Sequence, residues 1–189
     1  MKKFLVVVDM QNDFIDGALG TKEAQAIVPA VVKKIGSYEP DCIFATRDTH
    51  GDGYLETQEG KNLPVPHCIR GTKGWEVRSE VAQAMPKAVY VDKPVFGSAQ
   101  LVRLVEERLR EEGIPQEQAR IELIGLCTDI CVVSNAILFK AMLPEARVAA
   151  DASCCAGVTP ESHRAALETM RMCQVEVLND PERSGEKEG

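Results

Sequence analysis

Short runs of apolar, largely β-branched residues recur along this chain with helix-period segments between them, and that alternation restricts the fold more than any other feature. The runs are Phe4 to Val8, Cys42 to Thr46, Val89 to Val91, Ile121 to Leu126, Arg147 to Ala150 and Val175 to Leu178. They read as buried strands. The clearest helix between them is Ser98 to Glu112, where Leu101, Val105 and Leu109 recur every fourth residue. Ser98 is its N-cap and Gly113 its stop. Thr159 and Pro160, followed by ESHRAALETMRM, open a second helix with a cap and a proline in its first turn. Strand and helix in alternation predict an α/β fold, a parallel sheet with helices on both faces.

At 189 residues the chain has the length of one domain, able to bury roughly 70% of the surface its unfolded form exposes. The expectation is one domain over residues 1–180 and a flexible polar tail over 181–189. The segment from Asp48 to Trp75, rich in Gly, Pro, Thr and Asn, is too long for a simple connection and marks a functional loop. A formal charge of -7 offers no basic stripe to neutralise phosphates, so nucleic acid is not an expected partner. Seven cysteines without a CxxC pair or regular spacing read as reduced thiols of a cytoplasmic protein. The opening apolar run is cut at Asp9 after five residues, which argues against a signal peptide, and no stretch is long enough to span a membrane.

In open parallel sheets ligands bind beyond the carboxyl ends of the strands. Asp9 follows the first strand, Asp48 and His50 the second, Asp92 and Lys93 the third, and Cys127 to Cys131 the fourth. Carboxylates, an amine, an imidazole and thiols thus converge on one edge. The segment GLCTDICVVSNAILF puts Cys131 near a helix start, with Thr128 or Asp129 as N-cap, where free N–H groups favour thiolate. Cys127, at the strand end, is better placed to lend its backbone N–H to an oxyanion. Asp9 ends an apolar strand and needs a partner, which Lys93 can be. Alone, the pair reads equally as a structural ion pair; beside a thiol, Asp9 becomes the proton acceptor and donor, and Lys93 its orienting group. Asp48, His50, Glu59 and His67 share one loop region, and nitrogen and oxygen ligands suit zinc, with iron or manganese as alternatives. The third histidine, His163, reads as solvated beside Arg164.

These segments, VVVDMQNDF, ATRDTH, PVPHCIRGT, VDKPVFGS and GLCTDICV, together resemble the isochorismatase-like cysteine hydrolases, and within them the nicotinamidases, from Phe4 to about Leu178. The resemblance implies a six-stranded parallel sheet in a Rossmann-like three-layer arrangement and a triad of Asp9, Lys93 and Cys131. It also implies a cis Leu126-Cys127 peptide, with the N–H groups of Cys127 and Cys131 forming the oxyanion hole. One divalent ion would lie on Asp48, His50, His67 and Glu59, with Glu56 a substitute for Glu59. The implied reaction converts nicotinamide, or a similar heteroaromatic amide, to the acid and ammonia through a Cys131 thioester, a step of NAD salvage. One departure concerns the substrate ring: where many nicotinamidases carry an aromatic residue ahead of the last metal histidine, this sequence has Leu63 and Pro64. Phe14 remains, with Phe96 or Trp75 to supply the other face. The alternative keeps the triad, acts on an N-carbamoyl or other aliphatic amide, and leaves the metal loop structural. A third reading is a catalytically idle binding or scaffold protein, which would give the complete triad no role. Members of this family often associate, so a homo-oligomer is expected.

Overall fold

Residues alternate faces along the first strand, and the two halves of the core follow from that alternation. In the computed structural model, which describes residues 1–182, β1 (Lys2–Val8) buries Phe4, Val6 and Val8 on one side and Leu5 and Val7 on the other. Parallel strands follow: β2 (Ile43–Asp48), β3 (Val89–Lys93), β4 (Ala119–Leu126), β5 (Arg147–Ala156) and β6 (Glu176–Leu178). They form one six-stranded sheet in the order β3-β2-β1-β4-β5-β6, parallel throughout. The six expected runs are the six strands, with ends shifted by a few residues. Cys42 falls in a short 3-10 turn ahead of β2, and β5 runs on to Ala156.

Short helices α1 (Asn12–Ile15), α3 (Gln58–Asn62) and α4 (Ser79–Ala84) accompany the long ones, α2 (Lys22–Ile35), α5 (Ala99–Glu111), α6 (Val133–Met142) and α7 (Pro160–Met172). Leu101, Val102, Val105 and Leu109 of α5, Phe139 of α6 and Leu167 and Met170 of α7 cover the Phe4 face. Val31 and Ile35 of α2 and Val81 of α4 cover the Leu5 face. Each such side chain contributes roughly 1.5–3 kcal/mol by leaving water. The caps form as the residue types predict: Ser98 Oγ accepts from Leu101 N–H at 3.2 Å and Thr159 Oγ1 from Ser162 N–H at 3.1 Å. The Asp48 to Trp75 segment is ordered around the short helix α3 and a 3-10 turn at Tyr54–Glu56.

The chain runs outward from β1 toward β3 and from β4 toward β6, so β1 and β4 flank the point where strand order reverses, where open sheets leave a crevice. Gly125 sits at that crevice with φ +117°, and a Cβ there would meet the Val8 carbonyl oxygen at 2.1 Å. Only glycine lets β4 press this closely on the end of β1. At the end of the expected domain Asp180 is ion-paired with Arg171, and within the expected polar tail Glu182 Oε1 accepts from Arg164 at 3.3 Å. The rest of that tail lies outside the described residues. Among the described residues no helix is long and apolar enough to cross a membrane.

Candidate active site

Three segments deliver a buried carboxylate, ammonium and thiol to the crevice. Asp9 leaves β1 with φ 47°, which turns its side chain away from the line of the strand. Its carboxylate is fully buried, accepts a hydrogen bond from Thr46 Oγ1 at 2.7 Å and meets Lys93 Nζ at 2.6 Å. Lys93 is the last residue of β3, and its Nζ also lies 3.4 Å from Cys131 Sγ and 3.6 Å from Asp48 Oδ1. Cys131 belongs to a single π turn, Thr128–Val132, which joins β4 to α6 directly after the cis Leu126-Cys127 peptide. The amides of Ile130 and Val132 donate to the Cys127 carbonyl, at 3.1 and 3.0 Å. The N–H of Cys131 lies between that pair.

The electrostatics of this trio differ from those of a helix-start thiolate. Cys131 is buried within the π turn, and burial together with the Asp9 charge pushes its thiol well above the usual value, against the pull of Lys93. It rests as a thiol and needs a base. Burial also pushes the Asp9 carboxyl up, more than Lys93 and Thr46 hold it down, and so makes it a stronger proton acceptor than an ordinary aspartate. Burial lowers the Lys93 amine, but the Asp9 charge outweighs this and keeps it an ammonium. Burial carries the neighbouring Cys127 thiol up to about 12.

Neither expected cap serves the turn. Thr128 Oγ1 shares a hydrogen bond with His163 Nδ1 at 2.8 Å, and the Asp129 carboxylate accepts from Val158 N–H at 3.2 Å. His163 is therefore not a solvated helix residue but a half-buried brace of α7 against the turn, its imidazole shifted toward the neutral form by burial. Asp92 also departs from expectation, facing away from the crevice to pair with Arg47 Nε at 2.7 Å and Arg70 Nη1 at 2.8 Å.

A second group forms beside the trio. Asp48 ends β2, His50 follows by two residues, Glu59 lies on α3, and His67 precedes a chain reversal at Cys68 with φ 45°. Asp48 Oδ2 is 2.9 Å from His50 Nε2 and 3.3 Å from His67 Nε2, and Glu59 Oε1 is 3.7 and 3.8 Å from the same nitrogens. One ligand atom from each of the four falls within 4.8 Å of all the others. His67 Nδ1 donates to the Val65 carbonyl at 2.9 Å, which leaves Nε2 with a free lone pair toward the cluster. Two imidazoles and two carboxylates so arranged suit a zinc-sized divalent cation. Burial and the Asp48 charge push the Glu59 carboxyl up, a cost that a cation among these donors would relieve. Glu56, the substitute considered for Glu59, is exposed outside the cluster.

Several positions that hold the site gave no such signal in the residues alone. Gln11 is fully buried: its Nε2 donates to the Asp48 and Trp75 carbonyls at 2.8 and 2.9 Å, while its Oε1 accepts from Asp48 N–H at 2.7 Å. Asp13 Oδ2 accepts from Cys68 N–H at 2.8 Å, and Gly74 is needed there because a Cβ would lie 2.1 Å from that oxygen. Asn135 donates to the Cys131 and Phe96 carbonyls at 2.8 and 3.2 Å and accepts from Ser98 N–H at 3.0 Å. Tyr54 stacks its ring 4.7 Å from His50 and 5.0 Å from His67.

Cys131 and the quartet open into one cavity whose walls include Phe14, Leu63, Phe96 and Ile130. Trp75 is not part of this wall: its Nε1 donates to Thr49 Oγ1 at 2.8 Å and its ring packs under Arg47. Leu63, at the sequence departure noted above, lines the cavity with an aliphatic side chain.

A family model described as the isochorismatase domain matches residues 3–181. A nicotinamidase/pyrazinamidase of Mycobacterium tuberculosis is 28% identical over 186 residues, covering 92% of this chain and 97% of that protein. The crystal structure of the pyrazinamidase of Pyrococcus horikoshii in complex with zinc superposes with a TM-score of 0.73 at 26% identity, covering 95% of this chain and 100% of that one. An N-carbamoylsarcosine amidase from Thermoplasma acidophilum superposes with a TM-score of 0.72 at 27% identity, covering 98% of this chain and 100% of that one.

Proposed function

The chain belongs to the isochorismatase-domain family, and from that premise we propose that it is a cysteine-dependent amidase converting nicotinamide, or a similar uncharged heteroaromatic amide, to the acid and ammonia. The observation that carries this reading is Lys93 Nζ, buried 2.6 Å from Asp9 and 3.4 Å from Cys131 at the reversal point of the sheet. Asp9 takes the thiol proton as Cys131 Sγ bonds to the amide carbon. The Cys127 and Cys131 N–H groups receive the developing oxyanion, and Lys93 holds Asp9 in line and stabilises negative charge on sulfur. Asp9 then protonates the amide nitrogen as the C–N bond breaks, releasing ammonia and leaving a thioester. In the second half Asp9 takes a proton from water, whose oxygen attacks the thioester, and the proton returns to sulfur as the acid departs.

Asp48, His50, Glu59 and His67 would hold a divalent cation, zinc being the best match to the donor set and to the P. horikoshii relative. When bound it supplies a Lewis-acidic anchor for a substrate ring nitrogen. Phe14, whose ring lies 5.5 Å from that of His67, and Phe96 flank the space where such a ring would sit.

The similarity to an N-carbamoylsarcosine amidase favours a second reading, metal-independent hydrolysis of a carbamoyl amide. Against it stands the cavity lining, which among the described residues includes no Lys or Arg to pair with the carboxylate of a carbamoyl amino acid. Ammonia release from nicotinamide, benzamide and N-carbamoylsarcosine, each with and without chelator, separates the two. We expect kcat/KM for nicotinamide to exceed that for benzamide by at least about tenfold, roughly 1.4 kcal/mol, and chelation to remove most of that difference. N-carbamoylsarcosine as the best substrate, untouched by chelator, would establish the second reading instead.

A further inference from the structure

The cavity above Cys131 is far larger than one ring requires. It encloses about 980 Å³, at the upper end of the roughly 300–1,000 Å³ found for pockets that bury drug-sized ligands. Its floor holds Cys131 and the donor quartet. Its outer part is apolar: Leu63 follows α3, Val95 and Phe96 lie between β3 and α5, and Val158 lies between β5 and α7. These four are 37%, 57%, 46% and 50% exposed, respectively, and they make up four of the nine exposed large hydrophobic residues among the described residues. A single exposed apolar residue means nothing. Four drawn from three separate segments onto one rim, above a reactive thiol, mark a surface meant to be covered.

The charge around the cavity narrows what covers it. Among the described residues the lining includes no Lys or Arg, so the outer part of the cavity offers nothing to pair with an anionic substituent that extends beyond the floor. An amide whose carbonyl carbon is fixed over Cys131, whose ring lies against Phe14 and whose ring nitrogen faces the donor quartet directs a substituent on the ring edge away from both groups outward along this rim. Building on the amidase reading, we propose that the preferred substrates are uncharged aromatic amides with an apolar substituent on the side of the ring away from the carboxamide. Leu63, Val95, Phe96 and Val158 seat that substituent.

The test uses the zinc-loaded full chain and a matched series: nicotinamide and its 5-propyl, 5-phenyl and 5-(4-methylphenyl) derivatives, read by ammonia release. The readout is the ratio of kcat/KM for each derivative to that for nicotinamide. At least one phenyl derivative is expected to exceed nicotinamide by about tenfold, the scale on which filling an apolar pocket changes specificity. In Val158→Asn and Val95→Asn that ratio should fall at least about fivefold, mainly through KM. Nicotinamide turned over faster than every derivative would overturn the inference and leave the amidase reading standing. No ammonia from any member would overturn the amidase reading on which it depends. Sedimentation of the same variants covers the other occupant: loss of an oligomer with the ratio unchanged would assign the rim to contact between copies and overturn the substrate role.

Discussion

The trio of Asp9, Lys93 and Cys131 and the quartet of Asp48, His50, Glu59 and His67 meet where Lys93 Nζ lies 3.6 Å from Asp48 Oδ1, yet they are built differently. Two members of the trio stand at strand ends and the third in a turn pinned to a strand, so the sheet fixes their spacing before any side chain chooses a rotamer. Only one member of the quartet ends a strand. The others lie on the Asp48 to Trp75 segment, which is held by contacts from scattered elements: Asp13 to Cys68 N–H, Gln11 to the Trp75 carbonyl, Tyr54 against both imidazoles, and the pairing of His50 with Ile69. The trio is almost wholly buried, with Cys131 alone of the three reaching the cavity, whereas the Glu59 side chain keeps 21% of its exposure. Covalent chemistry needs atoms held to within fractions of an ångström. A group that would take up a cation and meet a variable ring tolerates spacing set by a loop rather than by strands.

The strongest break in this comparison is Cys131→Ala. It removes the nucleophile while leaving the sheet intact, and turnover should fall on the order of 10⁴-fold or more. Cys127→Ala deletes a thiol but retains the backbone N–H assigned to the oxyanion, and should keep activity within about tenfold of the parent. Alkylation followed by peptide mapping supplies an independent check: beyond the exposed Cys173, iodoacetamide is expected on Cys131 rather than Cys127. Stoichiometric labelling of Cys127 in its place would exchange the two roles.

A double substitution, His50→Ala with His67→Ala, addresses the other half. Metal analysis should show about one divalent ion per chain in the parent and none in the variant. Glu59→Gln, at the most exposed ligand, should weaken binding by about tenfold or more, the scale seen even for groups one shell further out. If trio and quartet are separable, iodoacetamide should still modify Cys131 in the double variant at a rate within about threefold of the parent. A Cys131 that no longer reacts would mean the loop shapes the trio as well.

The same contrast explains what the sequence made legible. Strands ended by a single reactive residue are visible because burial on both faces demands a continuous apolar run, and any charge at its end stands out. That logic located Asp9, Lys93, Asp48 and the β4 turn, but it misassigned Asp92, because neighbouring residues on a strand face opposite ways and only one of the pair can enter the crevice. Helix α2 was passed over since Pro29 lies in its interior and breaks the usual pattern. The π turn was likewise invisible: its geometry depends on the Cys127 carbonyl accepting two amides and on His163, thirty-five residues from Thr128 in sequence, bracing it. Gln11, Asp13 and Asn135 act through backbone groups of distant segments, and no local pattern reports such partners.

The smallest predicted effect concerns one hydroxyl. Thr46 Oγ1 donates to Asp9 Oδ1 at 2.7 Å and so favours the carboxylate over the neutral acid. Burial already places the Asp9 pKa above its ordinary 3.8. Activity needs the carboxylate, so the acid limb of kcat/KM should lie above the ordinary aspartate range, with activity disappearing as pH falls through it. Stability runs the other way. A carboxyl raised in the folded state binds more protons folded than unfolded, so its contribution is complete below the unfolded value and is lost as pH rises through the folded one. Thr46→Val keeps the shape and deletes the donor. It should move the acid limb further upward and, at pH values where Asp9 is charged, destabilise the fold by about 1–3 kcal/mol, the cost of an unmade buried hydrogen bond. The destabilisation should shrink as pH is lowered and Asp9 takes up its proton, a trend that denaturant midpoints at three pH values would resolve. A limb that stays in place in Thr46→Val would remove Asp9 as the titrating base and move that role to another group facing Cys131.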